Sequence, residues 1–102
     1  MTARVVALFT GNRAEYGLQY PILRAVAADP RLDYRLLAGG AHLDEDFGRT
    51  LDEIAGDGFT VHEQVDMRLV HDTLLSTAQA IGAGIISLSE AIARQCPDVV
   101  VV

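Results

Sequence analysis

At 102 residues and 50% hydrophobic, the chain is long enough for one domain with a core and too short for two. A formal charge of -6 and a pI near 4.8 leave few cations for a phosphate backbone, which argues against general nucleic-acid binding, although a small anion needs only one local arginine. The single cysteine, Cys96, excludes an internal disulfide and a cysteine-built metal cluster; with no signal-peptide core and no run of about 18 apolar residues, the expected location is cytoplasmic, with no membrane partner.

Residues 4 to 10 are apolar and β-branched without alternation, the pattern of a central strand buried on both faces of a parallel sheet. From about Tyr16 to Ala28, Leu18, Ile22, Leu23, Val26 and Ala27 recur at helical intervals, with Pro21 expected in the first turn or so and Asp29-Pro30 as the stop. Tyr34 to Ala38 reads as a second strand ending at Gly39-Gly40. Asp44 to Ala55 places Phe47, Leu51 and Ile54 on one helical face, with acidic residues in the first turn, and Gly56-Asp57-Gly58 closes it.

Phe59 to Val65 alternates with period two, as an edge strand with one wet face does, which makes His62 a solvated residue. Residues 66 to 72 carry no clear pattern. Asp72 or Thr73 is a suitable N-cap for a long helix through about Gln95, in which Gly82 and Gly84 suggest a bend, close packing or an approaching ligand, each costing about 1 kcal/mol relative to alanine. Pro97 ends that helix, Cys96 beside it reads as a small buried residue, and Val99 to Val102 reads as a buried parallel strand.

Strand and helix patterns in strict alternation give an α/β fold, a doubly wound, Rossmann-like parallel sheet in the order 3-2-1-4. Ligands of such sheets bind at the carboxyl ends of the strands, beside the point where the order reverses. That location belongs to Thr10-Gly11-Asn12-Arg13-Ala14-Glu15-Tyr16-Gly17, between the first strand and its helix. Backbone N–H groups at a helix start favour an anion, and the Arg13 guanidinium adds a planar cation. The plain alternative is a surface arginine paired with Glu15. The stretch has the spacing of neither GxGxxG nor GxxxxGK[ST], and no HExxH or cysteine-histidine spacing points to a metal.

The same stretch, followed by Tyr20-Pro21 and by Gly40-Ala41-His42-Leu43, resembles the hydrolysing UDP-N-acetylglucosamine 2-epimerases of sialic-acid-type sugar biosynthesis. Phe47-Gly48, Asp57-Gly58-Phe59, Asp72-Thr73, Gly82, Ser89-Glu90 and Pro97-Asp98-Val99-Val100 extend the likeness in the same order. The resemblance implies a two-domain, glycosyltransferase-B-like fold of which residues 1–102 are a truncated N-terminal Rossmann-like domain, the second domain being absent. It implies elimination of UDP from UDP-N-acetylglucosamine and hydration of the glycal to N-acetylmannosamine, with no nicotinamide or other cofactor. A homo-oligomeric full-length protein is expected, and the fragment is not expected to turn over alone.

The resemblance also implies that Arg13, Asn12 and Gly17 bind substrate, Arg13 by contact with the diphosphate and Gly17 through its backbone alone. His42, in a glycine loop after a strand, is the catalytic candidate, able to donate to a sugar hydroxyl or transfer a proton near neutral pH. The alternative for His42 is a loop residue that caps the acidic helix behind it. Glu15, Asp44, Glu45 and Asp46 read as helix-dipole partners, and Ser87 and Ser89 have no histidine partner to make them nucleophiles. Two other functions share the pattern: the acceptor-side half of a glycosyltransferase, and a non-enzymatic nucleotide-binding module.

Overall fold

The computed structural model describes residues 3–39, 50–65 and 74–102. In chain order these form β1 (Arg4–Thr10), α1 (Arg13–Ala28), β2 (Leu32–Gly39), α2 (Thr50–Gly56), β3 (Val61–Val65), α3 (Leu74–Gln95) and β4 (Val99–Val101). The strands are parallel, in the order β3-β2-β1-β4, the expected doubly wound arrangement with its reversal between β1 and β4.

Adjacent residues of the inner strands divide between two cores. Leu8 and Leu36 face α1 and α2, packing with Tyr16, Leu23 and Ile54; Ala7 and Leu37 face α3, packing with Val65 and Ala91. This two-sided burial is why the sequence of β1 shows no alternation. Asp98 sets the register of β4 on β1: its N–H donates to the Val5 carbonyl at 2.8 Å, and its carboxylate accepts the Val5 N–H at 2.8 Å. The Pro97-Asp98 pair therefore has a structural task.

α1 starts three residues before the hydrophobic pattern does, because Asn12 caps it with an extended backbone and a side chain that accepts the Glu15 N–H. Pro21 consequently lies in the helix interior, where it has no N–H for the Gly17 carbonyl. At the other end Asp29 grips Arg31 through Nε at 3.1 Å, Nη2 at 2.8 Å and the backbone N–H at 2.9 Å. These bonds hold the Asp29 carboxyl down at about 2.

β3 is the expected edge strand, but His62 is not a solvated residue. The β2–β3 register shifts between Leu36↔Val61 and Leu37↔Glu63, so His62 is the extra residue of a bulge. Its Nδ1 accepts the Leu36 N–H at 3.1 Å, and its ring meets Tyr34 edge to face. Burial, with Arg35 nearby, lowers the imidazole from its ordinary value, consistent with a neutral ring acting as acceptor.

α3 runs without a break through Gly82 and Gly84, and a Cβ at Gly82 would meet nothing within 4 Å among the described residues, so no close contact there requires that glycine. Arg94 and Gln95 both hold the Glu63 carboxylate, tying the end of α3 to β3 and lowering the carboxyl from its ordinary value. Cys96 is exposed, not buried: it occupies the left-handed position that closes the helix, with φ 45° and its N–H on the Ile92 carbonyl. The valine strand is also more open than expected. Val99 and Val100 are 45% and 40% exposed, since β1 is the sole neighbour of β4 among the described residues.

Candidate functional site

Thr10 ends β1 fully buried and donates its hydroxyl to the Asn12 carbonyl, fixing the turn that follows. Two reciprocal bonds then close the start of α1: Asn12 Oδ1 accepts the Glu15 N–H at 2.9 Å, and Glu15 Oε2 accepts the Gly11 N–H at 2.6 Å. The arrangement is a capping box displaced by one residue. It commits Glu15 to the helix cap, as its place in the first turn suggested. One donor of the turn is thereby already taken by a carboxylate.

Arg13 does not pair with Glu15. Its Nε lies 2.8 Å from Glu53 Oε1 on α2, and its guanidinium carbon is 6.0 Å from the centre of the Tyr16 ring. Tyr16 in turn donates its hydroxyl to Asp57 Oδ2 at 2.7 Å, and burial together with Asp57 raises the phenol well above its ordinary value. The start of α1 is thus fastened to α2 through Glu53 and to the turn after α2 through Asp57. Gly17 stands one turn below Arg13, and a Cβ there would come 2.9 Å from Arg13 Nη1. The glycine gives the guanidinium room to lie along the helix.

Asn12, Arg13 and Gly17 therefore share one end of one helix. Arg13 is more than half exposed, and its terminal Nη groups have no hydrogen-bond acceptor among the described residues. This is the geometry of a cation able to receive an oxyanion edge-on, flanked by carboxylates that are already engaged. His42, Asp44, Glu45 and Asp46 lie outside the described residues, as do residues 66–73 with His71.

On the other flank of α1, a depression of about 510 Å³ opens between Phe9, Glu15, Leu18, Gln19, Leu88 and Val102, beside the point where strand order reverses. Gln19 bridges its wall: Nε2 donates to the Phe9 carbonyl at 2.9 Å, while the buried Oε1 has no hydrogen-bond partner. Arg13 does not line this depression. Ser89 Oγ donates to the Ile85 carbonyl of its own helix, which leaves it no nucleophilic arrangement.

Sequence reasoning missed Glu53, Asp57 and Gln19. The first two depend on how α2 crosses α1, which no local pattern records. The capping bonds were available to it, since an asparagine followed three residues later by a glutamate marks a helix start.

The family profile for UDP-N-acetylglucosamine 2-epimerase matches residues 24–102. The chain is 32% identical over 97 residues to a UDP-N,N'-diacetylbacillosamine 2-epimerase (hydrolyzing) of Legionella pneumophila, which covers 95% of this chain. It is 28% identical over all 102 residues to a GDP/UDP-N,N'-diacetylbacillosamine 2-epimerase (hydrolyzing) of Campylobacter jejuni. It is also 33% identical over 60 residues, 59% of this chain and 15% of the relative, to the polysialic acid biosynthesis protein P7 of Escherichia coli. The chain spans 26% of the length of the first two relatives. With a profile match across most of its residues and alignments that reach through the Asn12–Gly17 turn, this chain belongs to the UDP-N-acetylglucosamine 2-epimerase family.

Proposed function

We propose that the protein containing this chain is a hydrolysing 2-epimerase acting on UDP-N-acetylglucosamine. The chain supplies the first Rossmann-like half of a two-domain, glycosyltransferase-B-like enzyme. The observation that carries this reading is the family match, combined with an exposed arginine held at the carboxyl end of the central strand. In the first step a base removes the C2 proton, the C1–O bond breaks, and the electron pair leaves with UDP to give a 2-acetamidoglycal. Water then adds across the double bond with protonation at C2 from the opposite face, giving N-acetylmannosamine. Elimination followed by hydration leaves the net oxidation state unchanged, so the chemistry asks for no redox cofactor.

Arg13 receives the charge that grows on the departing diphosphate, the step at which a preorganised cation contributes most. Asn12 and the Gly17 backbone form the wall beside it, and His42 donates to the sugar or moves a proton. The reading includes a cytoplasmic enzyme of sialic-acid-type sugar biosynthesis working as a homo-oligomer. The names of two relatives point to a diacetamido sugar, so the test uses two substrates. Incubating the full-length protein with UDP-N-acetylglucosamine, and separately with UDP-N,N'-diacetylbacillosamine, in the absence of an acceptor is expected to release UDP and free N-acetylmannosamine from the first. Release from the second alone would correct the sugar. Release from neither would sink the reading, and transfer only on adding an acceptor would replace it with a glycosyltransferase.

A further inference from the structure

We infer that Glu53 is a positioning residue for Arg13, fixing the guanidinium so that its terminal edge faces the substrate diphosphate; this rests on the role given to Arg13 above. An exposed arginine has four rotatable bonds, and ordering it at the moment of binding costs affinity. Here the side chain is ordered in advance from three sides. Glu53 Oε1 lies 2.8 Å from Nε in an ion pair, the Tyr16 ring lies beneath the guanidinium carbon at 6.0 Å, and Gly17 leaves a gap beside Nη1. A carboxylate at Nε occupies the side of the planar fork and leaves the two terminal nitrogens for a bidentate oxyanion. The other nearby carboxylates are committed elsewhere, Glu15 to the Gly11 N–H and Asp57 to the Tyr16 hydroxyl. Both Arg13 and Glu53 are about half exposed, so the pair adds little to folding and its effect is expected on the site.

The test is a double-mutant cycle on kcat/KM in the full-length enzyme, with Arg13→Ala, Glu53→Ala, Glu53→Gln and the double variant Arg13→Ala/Glu53→Ala. Glu53→Ala is expected to lower kcat/KM about fivefold. Glu53→Gln, which keeps an acceptor at the same reach, should return it to within about twofold of wild type, and Glu53→Ala should have no further effect once Arg13 is alanine. A Glu53→Ala enzyme at wild-type level beside an impaired Arg13→Ala enzyme overturns the inference alone. So does a Glu53→Ala loss that persists in the Arg13→Ala background, or one that glutamine leaves uncorrected. An Arg13→Ala enzyme at wild-type level sinks the parent reading instead, and the role of Glu53 with it.

Discussion

The face of the sheet under α1 and α2 and the face under α3 use alternate residues of the same strands, yet they close differently. Under α1 and α2 the core holds Leu8, Leu23, Leu36 and Ile54, and a chain of edge-to-face rings runs from Tyr16 through Tyr20 and Phe59 to Tyr34 and His62. Under α3 the buried residues are smaller, with two alanines among them, and Ile81, Ile85 and Ile86 stay exposed. The first face holds the chain of rings and the contacts made by Arg13, and its helix α1 still exposes Leu18 and Ile22. The second is left apolar at its surface. The contacts around Arg13 thus lie on the side of the sheet that holds the larger core residues.

Core truncation breaks this comparison most sharply. Leu23→Ala empties a fully buried site, and urea unfolding should show a loss of about 3–4 kcal/mol; Leu88→Ala, on the half-buried flank of α3, should lose about 1–2 kcal/mol. Equal losses would show that the two faces carry equal weight. Two helix glycines sharpen the contrast further. Alanine at Gly82 meets open space and should stabilise by about 1 kcal/mol with kcat/KM unchanged. Alanine at Gly17 brings the same helical gain but displaces the Arg13 guanidinium, so kcat/KM should fall by about threefold or more.

The smallest effect is a pH dependence at the bulge of β3. His62 accepts the Leu36 N–H only when Nδ1 is unprotonated, and its folded pKa lies below the ordinary 6.5. The unfolded chain therefore binds this proton more readily. Its contribution is complete above about pH 6.5 and is lost as pH falls through that value toward the folded one. Denaturation midpoints at about pH 7.5 and about pH 5.5 should differ less in His62→Gln than in wild type. Asp29 and Glu63, with lowered carboxyl values, lose their contributions only in a more acidic window.

Strand order and the alternation of elements were legible because hydrophobic period and right-handed crossovers leave few parallel arrangements for this pattern. What escaped was local in appearance and tertiary in cause. Pro21 looked like a first-turn residue until Asn12 and Glu15 placed the cap ahead of it. His62 looked solvated because an alternating sequence cannot display a bulge, whose extra residue is defined by the partner strand. Cys96 looked buried from its residue type, whereas its position demanded a left-handed backbone at a helix end. In the Thr10–Gly17 stretch the turn and its arginine were legible in the sequence, but Glu53, the carboxylate paired with Arg13, belongs to another helix.

The central claim, that the start of α1 holds the leaving diphosphate through Arg13, is tested most directly by steady-state kinetics of Arg13→Ala in the full-length enzyme with its nucleotide-sugar substrate. The account predicts a fall in kcat/KM of at least about tenfold, equivalent to about 1.4 kcal/mol of lost transition-state stabilisation, with an unfolding midpoint close to wild type. Wild-type kcat/KM in that variant would contradict it.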